Sequence, residues 1–399
     1  MGADVAVTNS IAVTNRIIGA RAAVSFGAAL ICTVLMFATR VFATVLPEDR
    51  ADVLYHSYNG GGVQVHGPSI LVRKSVGKQV SVWANYYVDQ VSSASVDVMA
   101  TASPYTEKRI ERSVGMDVLH DKTTFGLGYT SGDEPDYKAK SVHFSVSQDF
   151  FGDLTTVAIS FGRGWDEIGK HAQPGFQEKM DTRTYRLDVS QILTRSLIAG
   201  LTYQTISDQG FLNNPYRSAR FLDPSVPRGF SFESEVYPKT HTSNAIAARL
   251  KYYLPYRAAL MTEYRWFQDT YGIRANDIAL EYTHPLGDHW TFEGRARYYK
   301  QSAADFYSDL FPRSNSQNFI GRNKELAAFN TQSLGLGVSY HLVKGMLPLV
   351  NSASLTFNGE YVRYKYDDFR DVTKGGAPGA EPLFDYDAFV IRAFFSVFF

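Results

Sequence analysis

Ser333-Leu334-Gly335-Leu336-Gly337-Val338-Ser339-Tyr340-His341-Leu342 decides the fold. Every even position is apolar and every odd one is small or polar. A period of two is the signature of a strand with different surroundings on its two faces. The stretch is longer than the ~5–6 residues of an ordinary soluble strand. Thr124 to Thr130, Ser196 to Gln204, Ser352 to Tyr361 and Asp387 to Phe399 alternate in the same way. One face is aliphatic or aromatic and the other is Gly, Ser, Thr or charged. That pattern suits a strand with lipid on one side and water on the other.

The connections between such stretches alternate in length. Short ones fall at 75–77, 121–122, 151–153, 193–195, 254–256, 285–288 and 344–350. Long ones fall at 91–107, 131–137, 165–180, 208–239, 268–272, 302–327 and 367–383. Short turns on one side and long loops on the other describe outer-membrane barrels, with the short turns periplasmic. Fifteen strands are visible from Val63 onward. The last follows a long loop and the first precedes a short turn, so both run toward the periplasm. A chain that starts in the periplasm then needs one more upward strand. Asp52 to Tyr58, followed by Asn59-Gly60-Gly61-Gly62, supplies it. The expected fold is an all-β transmembrane antiparallel up-and-down barrel of sixteen strands, closed so that no edge meets lipid.

Composition agrees. The 399 residues carry 40 Lys+Arg and 40 Asp+Glu, so no basic excess points to a nucleic-acid partner. The 25 Tyr and 27 Phe exclude a disordered chain. Past residue 45 no apolar run approaches the ~20 residues of a membrane helix. The one cysteine, Cys32, lies in an apolar segment, Ala22 to Ala38, preceded by Arg16 and Arg21 and followed by Val41-Phe42-Ala43. This reads as a signal peptide over 1–43, cleaved after Ala43, with export across the inner membrane. An uncleaved anchor is the alternative. Residues 44–50 then form a short periplasmic segment and 51–399 the barrel. So short a segment leaves no room for the plug of a TonB-dependent transporter. The mature chain would hold no thiol for disulfides, metal or catalysis.

The C-terminus repeats the lipid-facing pattern. Phe389, Ile391, Ala393, Phe395, Val397 and Phe399 share one face. Phe395, Val397 and Phe399 read as the terminal signal for the barrel assembly machinery. Periplasmic chaperones and outer-membrane lipid with lipopolysaccharide complete the expected partners.

Several stretches resemble a family of Gram-negative outer-membrane barrels catalogued only as a domain of unknown function. They are Val65 to Lys74, Val91 to Asp97, Ser147 to Asp153, Gly164 to Glu167, Gly210 to Arg217, Tyr252 to Ala259 and Ser302 to Phe311. The resemblance implies location and architecture. It brings no activity and no site residues.

Motifs for chemistry are weak. Gly164 to His171 approaches a P-loop, but His171 stands where Ser or Thr would hold Mg²⁺, and a helix should follow. Ser141, His143 and Ser145 share an inward face, as do Ser339 and His341. This leaves a lipid or peptide hydrolase as a minor alternative, with no Gly-x-Ser-x-Gly and no His-Glu-x-x-His present. No cofactor is expected. Acidic groups at Asp133-Glu134-Asp136, Asp166-Glu167, Asp305 with Asp309, and Asp367-Asp368-Asp371 are candidates for divalent ions or simply a solvated rim.

Charge on the inner wall stands out more. Alternation points Arg249, Lys251, Glu263, Arg265, Glu281, Glu293, Arg295 and Arg297 into the lumen, where opposite charges on neighbouring strands can pair. Loop 208–239 is the longest connection and carries Arg217, Arg220 and Arg228 with Phe211, Phe221, Phe230 and Phe232. It is expected to fold inward, its arginines on Glu263, Glu281 and Glu293, and to narrow a pore. Packing over the rim on its neighbours is the other outcome. The sequence thus describes a porin-like barrel that passes or binds a small hydrophilic solute. A non-conducting receptor or scaffold barrel is the alternative.

Overall fold

The computed structural model describes residues 45–93, 95, 99–100, 105–171, 173–342 and 350–399. The proposed leader and Cys32 lie outside the described residues. The barrel strands are β1 (Arg50–Gly60), β2 (Val63–Val76), β3 (Val80–Ser93), β4 (Tyr105–His120), β5 (Thr123–Glu134), β6 (Tyr137–Phe150), β7 (Thr155–Ile168), β8 (Glu178–Thr194) and β9 (Leu197–Gly210). A small hairpin, β10 (Ser218–Leu222) and β11 (Phe230–Ser234), interrupts the series. The wall continues with β12 (Thr240–Tyr253), β13 (Ala259–Asp269), β14 (Arg274–Leu286), β15 (Trp290–Gln301), β16 (Phe329–Leu342), β17 (Ser352–Arg370) and β18 (Leu383–Phe398). Each wall strand pairs antiparallel with its neighbours, β9 pairs with β12, and β1 closes on β18. The wall has sixteen strands, and the upward first strand inferred from parity is β1.

Closure sets Val53 opposite Phe395 and Asp52 opposite Ser396. Both faces of the last strand are therefore fixed: Phe389, Ile391, Phe395 and Phe399 are exposed outward, while Arg392, Ser396 and Phe398 are buried inward. Leu336 is 77 % exposed and Leu355 is exposed as well, whereas Thr331 and Ser333 of the alternate set are buried. An aliphatic side chain left this open in water would forgo about 1.5–3 kcal/mol; in lipid it forgoes nothing. The exposed belt is the lipid-facing surface of a membrane barrel. The protein is a transmembrane β-barrel.

Turn chemistry explains the tight side of the wall. The β1–β2 turn uses Gly61 and Gly62, both at positive φ (59° and 76°), which only glycine adopts without strain. Within β2, Pro68 cannot donate to a ladder. The β2–β3 ladder is interrupted there, between His66 opposite Gln90 and Ser69 opposite Tyr87, and resumes in the same register. Gly67 lies against the Val88 carbonyl, where a Cβ would sit at 1.7 Å.

Two connections are shorter than the sequence suggests. β5 and β6 pair up to Glu134 opposite Tyr137, so 131–137 is mostly ladder closed by a two-residue turn. Only residues 270–273 separate β13 from β14. Their polar residues are strand ends standing clear of the apolar belt, which composition does not separate from loop. The P-loop-like stretch is also strand: Gly164 to Ile168 belongs to β7, paired on both sides, so no helix N-terminus is available for a phosphate.

Candidate functional site

The inner wall falls into two arcs. On the β1–β7 arc the inward side chains bury one another. Arg73 bonds Ser81 (3.1 Å) and pairs with Asp117. Asp89, fully buried, holds Arg109 and the His56 ring (2.7 Å). Arg50 meets Asp52 at 3.1 Å. Glycines make this packing possible: the His143 ring lies over Gly128, where a Cβ would be 2.0 Å away, and stacks on Trp83. His143 is thus a packing residue of the wall. His341 has Thr291 Oγ1 at 3.3 Å, and Ser339 bonds Thr356.

The β8–β16 arc carries the charges read from sequence, and its register pairs them. Arg249 stands opposite Glu263, with Nε 2.9 Å from the carboxylate. Glu281 stands opposite Arg295, whose Nε is 3.2 Å away, while Nη2 donates to Glu293 on its own strand at 2.8 Å. Arg297 reaches diagonally to Asp277, Nε to Oδ2 2.9 Å, and Arg265 is directly opposite that aspartate. Arg186 and Asp188 of β8 extend the row with bonds of 2.6 and 2.7 Å. Arg295, Glu281 and Glu293 keep 21 %, 27 % and 15 % of their surface open. They face a lumen that solvent reaches. Lys251 shares this face and is half-buried.

The loop arginines go elsewhere. Arg220 and Arg228 do not make the expected pairing with Glu263, Glu281 and Glu293, which wall arginines hold. Arg220 has no exposed surface. It donates to Asp309 (Nη2 to Oδ2 2.6 Å) and to Glu381, residues of the β15–β16 and β17–β18 loops. Arg322 joins the same aspartate at 2.9 Å and also donates to the Arg370 carbonyl. Arg370 Nη1 in turn reaches the Glu381 carbonyl at 2.6 Å. Glu235 accepts the backbone N–H groups of Arg322 and Asn323 at 2.7 and 2.8 Å. Arg228 stays exposed, donating to the Phe230 carbonyl and lying over the Phe230 and Phe232 rings. Arg217 is buried, its N–H on the Asn214 carbonyl.

Three loops are therefore one unit. The β9–β12 loop is not structureless: the β10–β11 hairpin forms within it, and Phe221 and Val236 bridge to Phe311 and Ile320 of the β15–β16 loop. Its phenylalanines pack on loop neighbours, Phe211 edge-on to Phe176 at 5.4 Å and Phe221 against Ala219, Phe311 and Ile320. The β15–β16 loop in turn touches the wall. Gln301 bonds the Glu325 and Ala327 carbonyls, both at 2.9 Å. Ala327 packs among Tyr299, Phe329 and Tyr364 on the inward face, and the buried Lys324 lies over Phe384 and Tyr386.

Burial pushes the pKa of Glu381 up, but the bonds and charge of Arg220 more than offset this and hold it below its ordinary value of 4.5. Burial, reinforced by the Glu235 carboxylate, drives the Tyr237 phenol well above its usual range, so it remains a donor to Glu235 at 2.7 Å. Four of the acidic residues weighed as ion sites are engaged as acceptors. Asp166 takes the Tyr137 hydroxyl (2.6 Å), Asp136 takes Tyr216, Asp368 takes the Ala328 N–H, and Asp371 caps a 3₁₀ turn through Thr373. Among the described residues no three His, Cys, Asp or Glu are placed to hold a metal ion.

Sequence reasoning missed Asp277, Asp188, Arg322 and Glu381, and read Asp309 only as part of an acidic pair. The first two follow from carrying the alternation along β14 and on to β8. The loop partners leave no periodic trace.

Residues 166–356 match the family model described as "Protein of unknown function (DUF3570)", which bears out the resemblance read from the sequence. No match is found among curated proteins. Solved structures of similar architecture include a bacterial polysaccharide outer membrane secretin (10 % identity, 88 % of this chain and 98 % of that chain, TM-score 0.49). Others are the CymD monoaromatic hydrocarbon channel (10 %, 91 % and 92 %, 0.43) and OmpT, an outer membrane protein of Vibrio cholerae (10 %, 87 % and 96 %, 0.40).

Proposed function

We propose that the protein is a TonB-independent outer-membrane pore, or a binding barrel, for a small hydrophilic solute. The observation that supports this most is the open triad of Arg295, Glu281 and Glu293 on the inner wall. Side chains that only filled the lumen would be as buried as those of the β1–β7 arc. Opposite charges held open across a wet wall orient a polar or zwitterionic solute without trapping it. Sixteen strands also enclose more volume than a small barrel's side chains can fill. The test is conductance in planar bilayers with ion selectivity. Neutralising Arg295 as R295Q should move selectivity toward cations, and E281Q/E293Q toward anions. Channels whose selectivity ignores both variants would end this reading.

A non-conducting receptor or scaffold is the second reading, and the buried loop unit favours it. Three loops locked by Arg220 can close the outer mouth. Deleting 212–229, which removes Arg220, discriminates: conductance rising from near zero supports a closed barrel, while an unchanged open level supports the pore.

A further inference from the structure

The outward wall carries a charge asymmetry of its own. Register lines up side chains of neighbouring strands in rows on the lipid face. One row places Val142, Arg163 and Arg183 side by side on β6, β7 and β8. The row above it places Arg112, Lys140 and Asp181 on β4, β6 and β8, with Ser131 and Trp165 between them. Phe144, Phe161 and Tyr185 form the row beneath, with the last two rings 5.2 Å apart. The arginines thus sit where the apolar belt ends on the long-loop side.

Arg163 and Arg183 are direct cross-strand partners. Like charges directly opposite destabilise a sheet. They share one carboxylate: Asp181 lies 2.9 Å from Arg163 and 3.4 Å from Arg183. Four cations and one anion occupy the two rows, and both guanidinium groups stay about half exposed, at 43 % and 51 %. The β17–β18 rim at the same end is built differently. There Arg363 stands opposite Asp387 and Lys365 opposite Asp385, one acid for each base. The next row up, Asp133, Lys138, Glu167 and Lys179, alternates in sign, so β4–β8 keeps an excess of cations where these β17–β18 pairs balance.

We propose that the outward face of β4–β8 binds the phosphate groups of outer-leaflet lipid A. A guanidinium pair presents paired N–H donors that match phosphate oxygens. The Arg163 guanidinium lies over the Trp165 ring at 5.3 Å. The phenyl and tyrosyl row below meets the acyl chains of the same molecule. A soluble phosphate would not need those rings, and this is why a lipid is the occupant. The site goes beyond the solute reading and stands whether or not the barrel conducts.

The experiment uses the full barrel purified in detergent, checked for folding by heat-modifiability, and mixed with defined lipids for native mass spectrometry. The probes are bisphosphorylated lipid A, its dephosphorylated form, and inorganic phosphate. Wild type should retain bisphosphorylated lipid A, and R163Q/R183Q should retain it about tenfold less, a loss of about 1.4 kcal/mol. R363Q/K365Q should retain it like wild type, and dephosphorylated lipid A should bind the wild type no better than it binds R163Q/R183Q. Equal retention by R163Q/R183Q, an equal loss in R363Q/K365Q, or equal binding of both lipid forms would overturn the site. Inorganic phosphate displacing lipid A at stoichiometric concentration would overturn the lipid as occupant. Should the double variant fail to fold, R183Q alone carries the same comparison.

Discussion

Two arginine–carboxylate clusters in this molecule use the same chemistry for different ends. In the wall, Arg295 lies between Glu281 and Glu293, on the facing and the same strand, with about a fifth of its surface open. In the loop unit, Arg220 is fully buried between Asp309 and Glu381, 89 and 161 residues away. An exposed ion pair contributes about 0.2–1 kcal/mol, while removing one partner of a buried pair costs about 3–5 kcal/mol. The wall cluster, only partly open, contributes less to stability than the buried one and is available for solute. The loop cluster is a latch, because Arg220, Asp309 and Glu381 arrive on three separate loops.

The largest expected effect is at the latch. R220M leaves Asp309 and Glu381 buried without their shared cation, at a cost of about 3–5 kcal/mol. The loss should fall on the loops, since the sixteen-strand wall closes without them. Limited proteolysis should show new cuts within 211–239, 302–328 and 371–382, with heat-modifiability of the barrel kept. Protection equal to wild type would mean the latch idea is wrong. R295M, made in parallel, should leave the loops protected.

Acid should open the same latch by another route. Glu381 has its folded pKa held below the ordinary 4.5 by Arg220. A depressed carboxylate contributes stability above its unfolded pKa, and the contribution disappears as pH falls through the folded value. Loop protection, followed by hydrogen exchange of the 371–382 amides, should hold at neutral pH and fade only below the ordinary glutamate range. E381Q should already show weakened protection at pH 7 and little further change on acidification. A wild-type loop unit that loosens as pH rises would contradict the sign.

How much of this was legible in sequence follows from the same contrast. The wall could be read because a strand repeats every two residues: Ser333 to Leu342 states which side chains face lipid, and the same count puts Arg249, Glu263, Glu281, Glu293, Arg295 and Arg297 inside. Even closure by β1 followed from the parity of turns. The latch could not be read, because no period connects Arg220 to Asp309 or Glu381. A loop arginine has the same local signature whether it turns to the wall or to a neighbouring loop. The wall glutamates looked available only because the residue opposite each was unknown; register put Arg249 against Glu263 and Arg295 against Glu281. The buried β1–β7 arc was hidden for a different reason. Alternation gives the direction of a side chain but not how crowded its side of the lumen is.

Within the wall itself the comparison can be sharpened between two pairs that register makes equivalent. Arg249–Glu263 and Arg295–Glu281 are both direct cross-strand pairs, yet the first is buried, at 6 % and 9 % of its side-chain surface, and the second is not. E263Q strands a buried Arg249 beside a neutral amide, so it should lower the unfolding midpoint of the barrel in urea. E281Q should not, because water and Glu293 still satisfy Arg295 (2.8 Å). A difference of about 1–2 kcal/mol is expected, the excess of a charge-assisted bond in a dry site over one in a wet site. The functional readouts should run the other way, with E281Q shifting ion selectivity and E263Q leaving it near wild type. If both variants changed stability alike and selectivity alike, the two pairs would share one environment. The division of the lumen into a sealed and an open part would then have to be redrawn.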